Sequence, residues 1–249
     1  MITPLLKKIL FKARRLAAKL IYGKDITSKR NPLISQPWDF PEAIFYQHLK
    51  KEKNNSLSLA IIGAHHGYEL SRLAKFTALD KVYAFEPSPM NHKKLKKNLK
   101  KFFPNNYLFS DKAISDSTGT INFYENNLPG TGSILKVGKL SESSYGMKTI
   151  ESFECNTTSL DDFFSSSMPS KLALWIDVQG AEMKVLRGST NTLKIVDFVF
   201  IEVSVVEETY KGGCTFDEIA EFLSTYNFIC TQLGTDISNG TGNALFKKY

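Results

Sequence analysis

From Leu57 onward, short apolar runs alternate with amphipathic stretches. Leu57–Ile62 is a short apolar run and predicts a buried strand. Tyr68–Phe76 reads as a helix, Lys81–Phe85 as a second strand, and Pro89–Phe102 as a helix with a lysine-rich exposed side. Tyr107–Ser110 is a third strand. Thr120–Tyr124 ("TINFY") alternates after Gly119 and predicts a strand in a hairpin. Asn126–Tyr145, rich in Gly, Ser and Asn, reads as a long loop. Phe153–Thr157 is a strand candidate, and Leu160–Phe164 a short helix capped by Thr158 or Ser159. Leu172–Val178 and Val196–Val203 read as buried strands, with a helix from Ala181 between them. Thr215 caps a helix over Phe216–Tyr226, and Phe228–Leu233 pairs with Ala244–Lys248 across a Gly-rich turn.

Repeated strand–helix alternation implies an α/β fold: a mostly parallel sheet with helices on both faces and a C-terminal antiparallel hairpin. Three segments follow. Residues 57–249 form the main domain. Residues 25–56 carry Pro32, Pro37 and Pro41 and read as a connector with a short helix near 41–50. Residues 1–24 read as an amphipathic helix, with Ile2, Leu5, Leu6, Ile9, Ala13, Leu16, Ala17 and Leu20 on one face and Lys8, Lys12, Arg15 and Lys19 opposite.

Charge sharpens this picture. The chain of 249 residues carries +7, yet residues 1–30 hold nine basic side chains against Asp25 alone. That segment is +8, which leaves −1 for the rest, so the basicity is no argument for nucleic-acid binding by the main domain. The N-terminal helix has two readings: packing on its own domain, or peripheral attachment to an anionic membrane surface. No apolar run approaches the ~20 residues of a membrane span, and charge interrupts the segment too often for a signal peptide. Three cysteines (Cys155, Cys214 and Cys230) show no metal-site spacing, so neither a disulfide framework nor a metal site is expected. The expected location is the cytoplasm, at the inner membrane surface on the second reading of the helix.

The chemistry concentrates at the ends of the strands. "GAHHG" (Gly63, Ala64, His65, His66, Gly67) follows the first strand, where an open α/β sheet binds ligands. Glu86 ends the second strand 19 residues beyond Gly67, the spacing of an acidic residue that accepts from a ribose diol. A nucleoside cofactor follows. The three-glycine dinucleotide fingerprint is missing, which argues against NAD or FAD, and a P-loop lysine is missing too. S-adenosyl-L-methionine, with a ribose but no phosphate, fits what remains.

"YAFEPSPMNHKKLKKNL" (83–99), "DKAISDSTGTINFY" (111–124), "SLDDF" (159–163), "WIDVQGAEMKVLRGS" (175–189) and "FVFIEV" (198–203) together resemble the FkbM-type methyltransferases. The resemblance runs from about Leu57 to the last helix. It implies the class I, Rossmann-like fold with a seven-stranded sheet, S-adenosyl-L-methionine as cofactor, and O-methylation of a sugar, a glycan or a small metabolite. Two positions depart from the family pattern. Ile61 stands where an aspartate is usual, and Gln179 replaces a glutamate, keeping hydrogen-bonding shape but losing charge.

On that reading Gly63, Ala64, His65 and Gly67 cradle the methionine part of the cofactor, Glu86 holds the ribose, and Ser88 lies near the adenine edge. Asp111 would accept from the adenine amino group, and Asp177 lies beside the transferred methyl. Glu182 is the first candidate for acceptor contact or base, and Glu202 the second. His66 remains a possible proton acceptor, although neutral filling of the loop suits both histidines better than a metal site. The competing class is a non-catalytic binding protein that kept the fold, supported by Ile61 and Gln179. Nucleic-acid methylation is weaker still, since no base-flipping Asn/Asp-Pro-Pro-Tyr motif occurs.

Overall fold

The computed structural model describes residues 40–52, 57–76, 78–205, 209–236 and 240–249. The predicted helix at 1–24 lies outside the described residues, as does the connector up to residue 39. Helix α1 (Phe40–Lys51) precedes strand β1 (Leu57–Ile62), α2 (Leu70–Phe76), β2 (Val82–Phe85), α3 (Pro89–Phe102) and β3 (Tyr107–Ser110). Then come β4 (Ala113–Ile114), β5 (Gly119–Asn126), α4 (Lys139–Tyr145), β6 (Thr149–Thr158) and α5 (Leu160–Phe163). The chain closes with β7 (Lys171–Ile176), α6 (Glu182–Arg187), a 3₁₀ turn at Thr192–Ile195, β8 (Val196–Ser204), α7 (Phe216–Ser224), β9 (Phe228–Asp236) and β10 (Thr241–Lys248).

Seven strands form the main sheet in the order β3-β2-β1-β7-β8-β10-β9. The first five are parallel, and β10 runs antiparallel to both β8 and β9. The chain builds outward from β1 to β3 and then returns to lay β7 on the other side of β1. That reversal is the switch point, and it places the loops after β1 and β7 side by side. This is the class I methyltransferase arrangement expected above.

Burial explains why these strands are legible. All six residues of β1 are buried, with alternate side chains facing opposite layers. Leu57, Leu59 and Ile61 pack with Phe45, Leu70, Leu95 and Leu99 under α1–α3. Ala60 and Ile62 pack with Leu160, Val185, Leu186 and Leu223 under α5–α7. Helix α1 is part of the domain core: Phe45 is fully buried, 6.0 Å from Trp175 and 5.6 Å from Phe200 by ring centroids. Thr215 and Glu218 close a capping box on α7.

The region read as a loop over Asn126–Tyr145 contains helix α4. Its sequence, KLSESSY, has no apolar stripe and buries only Ser141, so periodicity gives no sign of it. Strand β6 is longer than the predicted Phe153–Thr157, because its exposed start at Thr149–Ser152 pairs with β5 beyond the core. Strands β4, β6 and β5 make a second, three-stranded sheet beside the first.

Ile61 faces the α1–α3 layer, so the residue missing its usual charge does not point at the cofactor side. A carboxylate is buried at the start of α2 instead. Glu69 Oε1 has no hydrogen-bond partner, and burial raises its pKa to about 8, with Asp177 and Glu42 adding to the rise.

Two outcomes follow. Phe45→Ala should cost about 3–5 kcal/mol in urea unfolding, whereas a change below about 1 kcal/mol would detach α1 from the core. Glu69 is raised above its ordinary 4.5, so its contribution to stability is whole below that pH and is lost as pH rises toward 8. The melting temperature of Glu69→Gln relative to wild type should therefore increase from pH 5 to pH 8. A constant difference would show that the carboxyl is solvated.

Candidate active site

The loop after β1 turns sharply under backbone control. Gly63 and Ala64 both donate N–H to the Phe85 carbonyl at 3.0 Å, which ties the loop to the end of β2. Gly63 has φ +82°, and a Cβ there would stand 1.8 Å from the Asp177 carbonyl oxygen. Only glycine fits a left-handed site pressed on another backbone. Gly67 also has positive φ, and a Cβ would meet the Leu70 side chain at 2.5 Å. His65 takes a left-handed conformation without that excuse, at φ 45°. Its N–H donates to Glu86 Oε2 at 2.7 Å, and its ring lies against Gly130.

Glu86 is 4% exposed at the end of β2. It accepts from the N–H groups of His65 and Ser88 and from Asn91 Nδ2, the last two at 2.9 and 3.1 Å. Burial raises its pKa, and these three donors oppose the rise. A carboxylate has about four lone-pair positions, so one acceptor site is left for a ligand. Glu86, Gly63, His65, His66 and Asp177 line one cavity of about 510 Å³, a size usual for small-molecule sites.

The same cavity holds a residue that the sequence did not single out. Glu125, at the end of β5, is 7% exposed and Oε1 has no partner. The alternation predicts a strand that ends at Tyr124, and no local motif marks Glu125. Only the folding of the second sheet over the cavity brings it there.

Other expected residues fall less centrally. Asp111 is exposed at the turn after β3, and Lys112 and Ala113 line the cavity in its place. Ser88 is buried at the start of α3 with an unpartnered Oγ, outside the cavity lining. Ala64 is buried beneath the loop, also outside it. His66 hydrogen-bonds the Tyr68 hydroxyl at 3.0 Å. Burial, followed by the neighbouring His66 and Lys94, lowers the pKa of His65 to about 4. Burial and Lys94 lower His66 as well, so both rings are neutral at pH 7. Among the described residues no group of three or more His, Cys, Asp or Glu side chains is placed to hold a metal ion.

The loop after β7 carries the second half of the site. Asp177 N–H donates to the Ile62 carbonyl at 3.0 Å, locking the two loops together. Gln179, left-handed at φ 55°, extends Nε2 to Asp177 Oδ1 at 2.8 Å and to Glu202 Oε2 at 2.5 Å. Its Oε1 accepts from the Tyr210 hydroxyl at 2.9 Å. Asp177 and Glu202 are also hydrogen-bonded to each other; burial raises both, and the Asp177 charge drives Glu202 further, so the pair shares a proton on the Glu202 side. Glu182 neighbours this pair, and its charge adds to the rise of Glu202. Its Oε1 accepts from the N–H groups of Val178 at 3.2 Å and Gly180 at 3.1 Å, which fastens the loop, and burial lifts its pKa to about 7.

These residues fit S-adenosyl-L-methionine. The cavity offers a glycine cradle, a spare acceptor on Glu86, an orphaned carboxylate oxygen on Glu125, and Asp177 to face positive charge. The chain matches the family described as the methyltransferase FkbM domain over residues 62–230. It is 28% identical over 177 residues to the 2-O-methyltransferase NoeI of Sinorhizobium fredii, covering 68% of this chain and 71% of that protein. It is 32% identical over 122 residues to the hexuronic acid methyltransferase AglP of Haloferax volcanii, covering 49% of this chain and 46% of that one. The crystal structure of methyltransferase FkbM from Methylobacillus flagellatus superposes with a TM-score of 0.58 at 13% identity, over 98% of this chain and 59% of its own. This chain thus spans less than two thirds of AglP and of the Methylobacillus structure. The match over 62–230, on a class I sheet whose switch-point loops form this cavity, means that the chain belongs to the FkbM family of S-adenosyl-L-methionine-dependent methyltransferases.

Proposed function

We propose that this chain O-methylates a sugar hydroxyl, with the Asp177–Glu202 pair taking the acceptor proton. The observation that carries this reading is the half-buried Asp177–Gln179–Glu202 bridge beside the cofactor cavity. The names of NoeI and AglP, an O-methyltransferase and a hexuronic acid methyltransferase, support a sugar oxygen as the site of transfer.

Bound S-adenosyl-L-methionine supplies an electrophilic methyl group on a sulfonium. The protein's task is then placement and proton removal. Gly63 and His65 shape the wall, Glu86 and Glu125 accept from hydroxyl or amino donors, and positioning supplies much of the rate. Asp177 accepts the hydroxyl proton, and Glu202, already protonated, holds Asp177 in place by hydrogen bonding. General-base assistance of this kind contributes about 10²–10⁴-fold. On sequence pattern alone, residues 1–24 suit contact with an anionic lipid surface, which would bring the enzyme to lipid-linked glycans.

Transfer of labelled methyl to a panel of glycosides tests the reading. Wild type should label sugar oxygens, and Asp177→Asn should lower kcat by about 100-fold or more. The rate should also fall as pH drops through the ionisation of Asp177, which burial places above the usual carboxylate range. Labelling only of amines, or full turnover by Asp177→Asn, would refute the assignment. Separately, replacing Glu125 by Leu should weaken S-adenosylhomocysteine binding in calorimetry by about tenfold, the loss of one charged hydrogen bond. Unchanged affinity would remove Glu125 from the cofactor site.

A further inference from the structure

A second cavity of about 180 Å³ adjoins the first at Gln179. Gln179 lines both. Asp177 lines only the cofactor cavity, while Glu182 and Glu202 line only the second. The amide of Gln179 thus stands where the two cavities meet, with Nε2 reaching Asp177 in the first and Glu202 in the second. This second space opens beyond the end of β8, next to the β7 loop, where an α/β sheet exposes its ligands.

The lining has a definite chemistry. Ser141, Ser204, Thr209, Thr241 and Tyr210 supply hydroxyls, and Tyr145, 39% exposed, supplies an aromatic ring. Among the described residues of the lining there is no Lys, Arg or His. Two carboxyl groups stand in its wall, Glu182 buried and Glu202 half-buried, with Asp177 beyond Gln179. Carboxylates and hydroxyls accept and donate hydrogen bonds to a polyol, and nothing there neutralises an anion. A ligand carboxylate would lose its hydration there with no cation in the lining to pair with it, which works strongly against binding.

From this we propose, building on the sugar O-methylation reading above, that the second cavity is the acceptor pocket and that it takes an uncharged sugar and excludes uronic acids and other anionic sugars. The sugar enters with one hydroxyl toward the Asp177–Glu202 pair. In the transfer that hydroxyl gives its proton to Asp177, its oxygen bonds the methyl carbon, and the carbon–sulfur electrons stay on sulfur as a neutral thioether. Every atom and charge is then accounted for without a further reactant.

The test uses the full chain saturated with S-adenosylhomocysteine and follows sugar binding by saturation-transfer NMR. Methyl hexopyranosides should bind, and the matching methyl hexuronosides should bind at least about tenfold more weakly, the least that an unpaired, desolvated carboxylate should cost. Ser204→Lys places a cation in the wall outside the proton-transfer pair. It should narrow that gap by about tenfold while S-adenosylhomocysteine affinity holds. Equal binding of both sugars by wild type would overturn the proposal, as would an unchanged gap in the lysine variant. So would binding of neither sugar by a chain that does bind S-adenosylhomocysteine. A chain that fails to bind S-adenosylhomocysteine would instead overturn the donor reading on which the proposal rests.

Discussion

The site depends on one close backbone approach. Gly63 lies so near the Asp177 carbonyl that no side chain can come between them, and the Asp177 N–H donates to Ile62 beside it. This contact exists because β1 and β7 are adjacent in space though far apart in sequence. It joins the loop that shapes the cofactor wall to the loop that carries the acid groups. A shift of β1 by one residue would turn Ile61 toward the cavity and Ile62 into the α1–α3 layer. The register of two buried strands is thus what aligns the Gly63 loop with Asp177.

Around that contact the protein concentrates acidic groups away from solvent. Asp177, Glu182 and Glu202 are all raised by burial, and Glu69 lies behind them under α2. Their cost is limited by hydrogen bonds from Gln179, Val178 and Gly180 and by a shared proton. A positively charged methyl donor complements such a site electrostatically. Gln179 also explains how a neutral amide serves where the family usually has glutamate: it donates to both neighbouring carboxylates, which a third carboxylate would repel.

Much of this was legible in the chain. The parallel strands announce themselves because they are buried on both faces and therefore read as continuous apolar runs, as in "LSLAII" and "VDFVFIEV". Gly63 and Glu86 follow from strand ends and spacing. The rest depends on long-range packing. Helix α4 has no apolar stripe, and Glu125 is brought to the cavity by a second sheet whose extent no local pattern predicts. Glu182 reads as a candidate from its place in the first turn of its helix, but the two backbone N–H groups that bind its Oε1 come from the fold of the preceding loop. Asp111 sits one residue before the segment that turns into the cavity. Ile61 seemed to remove a charge from the cofactor until the strand's alternation placed it on the opposite face.

The account's central claim is that the cavity behind Gly63 holds the methyl donor. Calorimetric titration of the full chain with S-adenosylhomocysteine, in wild type and in Gly63→Val, tests it most directly. One equivalent should bind wild type and none should bind the valine variant. A folded wild-type chain showing no heat with millimolar S-adenosylhomocysteine, or a folded valine variant that binds as wild type does, would contradict the account.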